Sequence, residues 1–258
     1  AQLMPIIAWW TTYKQTADMY DVLIANTYPK KLDYSEFSAN LYTISYDAAM
    51  QVAAVRANGG GRSAIFMPPM YDNLPRYIPY THYTLNEQLY VMFAPIVQGV
   101  MGVHGWRLQR CSAAFRKFVI YPAMKEVSRL SEFFLGEWHN ELVSSDHDDA
   151  TVEYLQKFKE RERLVEGLED AENKKALALV PDVSHCLRRH ADGRYLLLIV
   201  NNRREPLPEV RFKLWLEKLP RKMTCNINHS RTVWFSKDGE FKTALKPFEV
   251  QAYVFNAR

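Results

Sequence analysis

The sequence predicts a mixed fold, with an α/β region first and an all-β region after it. Two observations predict this order. Short, continuous apolar runs alternate with longer helical stretches over about the first half of the chain, which is typical of strand–helix repeats. Beyond a highly charged segment, short alternating strands separated by turn signals fill the remainder, as in an antiparallel sandwich.

Four apolar runs are predicted strands: residues 3–9, 21–29, 63–70 and 99–106. They are continuously apolar rather than alternating, which is typical of a parallel sheet that is covered on both faces. Pro29 and Pro68 end two of them. Four strands with intervening helices are half of a (β/α)8 barrel, which needs about 250 residues by itself.

Three helical stretches accompany these strands: residues 33–57, 84–98 and 113–135. The first has an apolar side at helical spacing, formed by Leu41, Ile44, Ala48, Val52 and Val55. The second is predicted to be amphipathic. The third has an apolar side formed by Phe118, Met124, Val127, Leu130 and Phe134.

The second half of the chain begins with a charged stretch and then becomes β. Residues 144–176 are rich in Asp, Glu, Lys and Arg with a thin apolar stripe, which predicts a solvated helical connector. Asp192-Gly193 between two apolar runs predicts a hairpin. The predicted domains are therefore residues 1–140 as the α/β part, 141–176 as the connector and 177–258 as a β-sandwich.

Composition excludes several classes of protein. The net charge of +4 in 258 residues is too small and too scattered for a nucleic-acid partner, and no run of 18 apolar residues predicts a membrane span.

The three cysteines have no metal-ligand spacing; free buried thiols are favoured, although Cys186 and Cys225 could pair. We expect no cofactor and no metal, and we interpret His104 as a core histidine.

Four segments carry a resemblance to a known family. They are DVLIANTYP at 21–29, SAIFMPPMYDN at 63–73, LNEQLYVMFAPIVQGVMGVHGW at 85–106 and KPFEVQAYVF at 246–255. Together they resemble the C-terminal half of clan A retaining glycoside hydrolases, the β-galactosidase-like barrels with a trailing β-sandwich. The third segment is the most specific, because it combines a Glu-led helix, a Gly-x-x-Gly turn and a strand-end Trp106.

The resemblance implies a partial TIM barrel, the last four βα units, with the first four before Ala1. It also implies that the general acid/base Glu lies outside this chain, so the chain is expected to be a fragment. The family's nucleophile Glu closes the seventh strand, but here residues 67–72 read MPPMYD, and Asp72 is the only nearby carboxylate. A retaining glycosidase needs two carboxylates about 5–5.5 Å apart. Asp72 is therefore the candidate catalytic residue.

The same resemblance and the strand-end positions give the candidate substrate-binding residues: Trp10, Asn26, Tyr28, Tyr71 and Trp106. The expected partners are carbohydrate and either the missing half of the barrel or a second copy, because a half-barrel exposes sheet edges. A carbohydrate substrate favours a secreted or periplasmic location.

Two other interpretations stay open. The chain could be a non-catalytic carbohydrate-binding or scaffold protein that has lost its carboxylates, as the missing Glu suggests. It could instead begin with a small, complete α/β domain that has a pocket for another ligand.

Overall fold

A computed structural model describes residues 6–7, 22–25, 41, 43–57, 63–66, 83–105, 111–149, 181–227 and 231–256. Its first sheet contains four strands: β1 (Ile6–Ile7), β2 (Val22–Ala25), β3 (Ser63–Phe66) and β4 (Gly102–Val103). They pair in parallel and in chain order. Helix α1 (Thr43–Ala57) lies between β2 and β3 in the chain, and α2 (Leu85–Gln98) lies between β3 and β4. The described part thus agrees with the predicted mixed fold.

Helix α1 buries the side that its apolar spacing predicts. Leu41, just before the helix, is buried, and so are the four predicted positions within it, Ile44, Ala48, Val52 and Val55. The helix packs against α2 and against strands β2 and β3. Burial extends beyond the predicted side, since Tyr46 and Ala49 are buried as well.

Helix α2 is buried on all sides, so the prediction of an amphipathic helix was wrong. Every residue from Gln88 to Val97 is buried, because α2 contacts α1, the helices that follow β4, and the antiparallel strands. The predicted helix start is confirmed by a capping box, in which Thr84 and Glu87 exchange hydrogen bonds. Gly99 ends the helix in the left-handed region, at φ 114°.

The third predicted helix is interrupted. It consists of α3 (Ala113–Phe115), a π-helical turn over Arg116–Ile120 and α4 (Tyr121–Leu130). The π turn places two residues five apart, Phe115 and Ile120, on the buried side. Phe118 is consequently 65% exposed and Met124 41% exposed, so the predicted apolar side was wrong at both positions.

The predicted helical connector was wrong over its described start. Strand β5 (Glu137–Trp138) is followed by a 3-10 turn over Asn140–Leu142 and by strand β6 (Val143–Ser145). Both strands belong to the antiparallel region. The charged residues of 146–149 form turns. The rest of the predicted connector lies outside the described residues, and the three-domain division stays a prediction.

The described part of the antiparallel region has seven further strands: β7 (Val183–Arg189), β8 (Arg194–Asn201), β9 (Leu207–Leu214), β10 (Lys222–Thr224), β11 (Thr232–Trp234), β12 (Glu240–Leu245) and β13 (Val250–Asn256). They form sheets ordered β13-β8-β7-β5, β12-β9-β6 and β10-β11. The predicted hairpin at Asp192-Gly193 joins β7 to β8 and is confirmed. Helix α2 packs on strands β7, β8 and β13, which joins the two regions through one continuous apolar core.

All three cysteines are free and buried, so the predicted free thiols are confirmed and the Cys186–Cys225 pair is not formed. Burial raises the pKa of the Cys186 thiol above its ordinary value, and it does the same for Cys225. None of the described helices combines the length and the hydrophobicity that a membrane span requires.

Candidate functional site

The carboxyl ends of the four parallel strands lie in one row. Ile7 pairs with Ala25, Ala25 with Phe66 and Phe66 with Val103. These are the last residues of β1 to β4. The segments that leave the four strands therefore start from the same edge of the sheet, where α/β proteins usually hold their ligands.

Every predicted site residue follows one of these strand ends in the sequence. Trp10 follows β1, Asn26 and Tyr28 follow β2, Tyr71 and Asp72 follow β3, and Trp106 follows β4. All six lie outside the described residues. The strand ends next to them are thus brought together, while their side-chain geometry, including any separation between carboxylates, stays a prediction.

His104 and Gly105 are described beyond the end of β4. His104 is exposed, so its interpretation as a core histidine was wrong. The reason is that β4 ends at Val103, which leaves His104 beyond the paired part of the strand. An exposed imidazole next to the row of strand ends could contact a ligand there, and its place near the carboxyl end of the predicted strand 99–106 was the available signal.

A polar cluster of Ser145, Asp148 and His185 lies in the antiparallel region. The hydroxyl of Ser145 donates to Oδ1 of Asp148 at 2.8 Å, and His185 Nε2 lies 2.7 Å from the same oxygen. Partial burial raises the pKa of the Asp148 carboxyl, but its bonds with His185 and Ser145 outweigh burial, so the pKa falls below its ordinary value. Because the carboxylate stands between hydroxyl and imidazole, the imidazole does not activate Ser145, and the arrangement is not a hydrolytic triad.

A second cluster connects the helices to the antiparallel sheet. The hydroxyls of Ser45 and Tyr90 both donate to Oδ1 of Asn202, each at 2.8 Å. Nδ2 of Asn202 donates to the carbonyl of Pro181 and to Ser184 Oγ. The side-chain amide is therefore satisfied at both ends, which indicates a structural role rather than a ligand site. Within the described ranges, no group of His, Cys, Asp and Glu side chains could hold a metal ion.

The chain matches no protein-family profile and no curated protein. Solved structures similar to it include an α-amylase from Anoxybacillus, with 10% identity over 100% of this chain and 52% of that one and a TM-score of 0.49. A thermostable family 51 α-L-arabinofuranosidase from Thermotoga petrophila has 13% identity over 99% and 58%, with a TM-score of 0.48. A family 27 β-L-arabinopyranosidase from Geobacillus stearothermophilus has 8% identity over 96% and 61%, with a TM-score of 0.39.

The chain thus spans between half and two thirds of each of these three structures. All three are glycoside hydrolases by name.

Proposed function

We propose that the chain is the carboxyl-terminal part of a glycoside hydrolase-like protein that acts on oligo- or polysaccharide. In this proposal β1 to β4 are the last four strands of a (β/α)8 barrel, and the antiparallel region is its trailing sandwich. The observation that carries the proposal is the row of strand ends, because Ile7, Ala25, Phe66 and Val103 each precede a segment with a predicted sugar-contacting residue.

The proposed mechanism is retaining. One carboxylate attacks the anomeric carbon and forms a covalent glycosyl intermediate, while a second protonates the departing oxygen and then activates water. Asp72 is the candidate nucleophile in this chain, and a Glu in the polypeptide before Ala1 is the candidate acid/base. The aromatic residues Trp10, Tyr28, Tyr71 and Trp106 would hold the sugar rings, with Asn26 bonding a hydroxyl. No cofactor is needed for this chemistry.

We further propose that the sheet is completed by the missing four βα units or by a second copy. In the described sheet, β1 and β4 are the edge strands, and unpaired edges favour association. The exposed apolar side chains Phe118, Tyr121 and Met124 on the helical segment after β4 are a second surface that association would cover. The test is the native mass of the purified chain, measured alone and with a polypeptide that carries the missing units. A chain that stays monomeric and does not bind that polypeptide would contradict the proposal.

A non-catalytic carbohydrate-binding protein is the alternative. It is favoured by the sequence after β3, MPPMYD, which has no Glu where the resembling family has its nucleophile. The two functions share the aromatic residues and differ only in the carboxylates. The experiment must therefore measure binding and hydrolysis separately.

The test uses the chain together with its preceding barrel units and a panel of aryl glycosides. Hydrolysis with retained anomeric configuration is expected, and Asp72→Asn should lower kcat on the order of a thousandfold. Asp149→Asn, at an exposed position in the antiparallel region, should leave kcat unchanged. Oligosaccharide binding without hydrolysis would favour the alternative. If the protein neither binds nor hydrolyses any of these sugars, both proposed functions are wrong.

A further inference from the structure

A cleft of about 560 Å³ lies in the antiparallel region, between the loop that follows β9 and the hairpin-like turn, residues 235–239, that joins β11 to β12. Its size is within the range of small-molecule sites. Trp215, Glu217 and Arg221 line it from the loop, and Phe235, Lys237 and Asp238 line it from the hairpin. None of these residues belongs to the segments that follow the parallel strands.

Trp215 gives the cleft an exposed aromatic face. Phe212 and Leu214 of β9 are buried, whereas Trp215, the next residue, is 50% exposed. Its backbone is fixed, because its N–H donates to the carbonyl of Leu142 at 3.0 Å. A half-exposed indole on an anchored backbone is a platform on which the C–H face of a sugar ring can stack, since it offers apolar area at little entropic cost.

The charged side chains of the cleft balance one another and are free to bind a ligand. Glu217 and Asp238 oppose Arg221 and Lys237 in charge. Within the described ranges these four side chains have no hydrogen bond or ion pair with one another or with neighbouring residues, whereas Glu209 on the adjacent strand binds Lys242 at 3.0 Å. A balanced, unpaired set of donors and acceptors suits a neutral polyhydroxyl ligand better than a polyanion or a polycation.

The hairpin side of the cleft is held in place by its own hydrogen bonds. The hydroxyl of Ser236 accepts the N–H groups of Asp238 and Glu240, at 3.2 and 3.1 Å. The carbonyl of Gly239 accepts the N–H of Leu214 at 3.0 Å, which ties the hairpin to β9. This wall of the cleft is therefore organised before any ligand binds, which limits the entropy lost on binding.

We propose that this cleft is a carbohydrate-binding site separate from the edge of the parallel sheet. It takes a neutral oligosaccharide, with one sugar ring stacked on Trp215 and its hydroxyls bonded by the surrounding charged side chains. The site would hold a polymeric chain on the antiparallel region whether or not the protein hydrolyses it.

The test is calorimetric titration of the full chain with neutral oligosaccharides of glucose, galactose and arabinose. Trp215→Ala should weaken the binding about tenfold or more, because the stacked apolar area is lost. Trp215→Tyr should keep most of the affinity, since an aromatic face remains. Trp234→Ala is the matched control, because Trp234 is 58% exposed but does not line the cleft, and it should bind as the wild type does.

Trp106→Ala separates the two proposed sites. Binding that is lost in Trp215→Ala and kept in Trp106→Ala supports the cleft, even if no glycoside is hydrolysed. A titration of Trp215→Ala with the same stoichiometry and affinity as the wild type overturns it, and so does the absence of binding to the wild-type chain with every oligosaccharide. Thermal unfolding of each variant verifies that Trp215→Ala is folded, and Arg221→Ala gives an independent test of the same surface.

Discussion

The phenolic hydroxyl of Tyr90 donates a hydrogen bond of 2.8 Å to Oδ1 of Asn202. Tyr90 lies on α2, and Asn202 is the residue after β8, so this bond joins the helical region to the antiparallel sheet. Both side chains are fully buried. Ser45 on α1 donates to the same oxygen, and one amide group therefore holds both helices.

Asn202→Ala should lower the free energy of unfolding by about 3 kcal/mol, because it leaves buried hydroxyls without their acceptor. Chemical denaturation measures this change. Asn256→Ala, at an exposed position at the end of β13, should change it by less than about 0.5 kcal/mol. A double-mutant cycle with Tyr90→Phe should give a coupling of about 1 kcal/mol. Additive effects would mean that the two side chains do not stabilise each other.

Burial of Tyr90 also predicts a loss of stability in alkali. Burial raises the pKa of the Tyr90 phenol above its usual range, outweighing the opposing hydrogen bond with Ser45. A folded-state pKa above the unfolded value means that the contribution is fully present below the unfolded value, about 10, and is lost as pH rises above it. The free energy of unfolding should therefore fall above pH ~10.

Tyr90→Phe should reduce the steepness of that fall, although it lowers stability at neutral pH. Denaturant unfolding across the alkaline range measures both effects. Tyr121→Phe is the control, because Tyr121 is 54% exposed. Tyr253 contributes a similar dependence, since burial also raises its pKa, so some of the fall should remain. An equal slope in wild type and Tyr90→Phe would show that Tyr90 ionises as readily when folded as when unfolded.

Among the residues that the structure describes, Arg188 is the largest fully buried side chain, and it connects three segments. From β7, its guanidinium donates to the carbonyl of Phe134 and, at 3.3 Å, to that of Ile96 near the end of α2. It also lies 3.8 Å from the ring centroid of Trp138. A planar group with several donors can make these contacts together, and an ammonium group cannot.

Arg188→Lys should therefore destabilise the protein by about 3 kcal/mol, despite keeping the charge. Arg189→Lys changes the neighbouring, exposed arginine in the same way and should cost less than about 0.5 kcal/mol. Thermal unfolding of the two variants side by side makes the comparison. Equal melting temperatures would show that the planar guanidinium of Arg188, with its several donors, is not needed for stability.

The sequence pattern correctly predicted the elements that keep a regular geometry in the folded protein. The helical spacing of Leu41 to Val55 and the turn signal at Asp192-Gly193 depend on neighbours in the chain, and both were confirmed. The positions of Phe118 and Met124 depend on a π turn. That turn comes just before Pro122, which has no N–H to continue a regular helical ladder. A periodicity argument assumes a regular helix and therefore assigns both residues to the wrong face.

The order of the strands along the chain predicts where the candidate site lies, but it does not predict the geometry of its side chains. Parallel strands in sequence bring their carboxyl ends together, so the location of the candidate edge follows from four apolar runs. The distance between two carboxylates depends on side chains from separate loops, and no pattern within one loop determines it. The cleft at Trp215 also had a signal in the sequence, which the prediction did not use. In the alternating run from Val210 to Leu216, Trp215 falls on the face opposite the apolar one.

Gly239 and Gly193 allow steric crowding to be separated from backbone strain. Both have positive φ, 78° and 89°, so an alanine at either position is strained in a similar way. A Cβ on Gly239 would lie 2.4 Å from the carbonyl oxygen of Leu214, whereas one on Gly193 would meet no atom within 4 Å. Gly193→Ala should thus cost about 1 kcal/mol, which is the strain alone.

Gly239→Ala should cost about 3 kcal/mol, because the hairpin must move away from β9 as well. Since Gly239 accepts the N–H of Leu214, that movement would also loosen the wall of the cleft beside Trp215. Chemical denaturation measures the two costs, and calorimetry with the oligosaccharide panel shows whether Gly239→Ala weakens binding while Gly193→Ala does not. Equal costs in the two variants would mean that the hairpin is not tied to β9 as described.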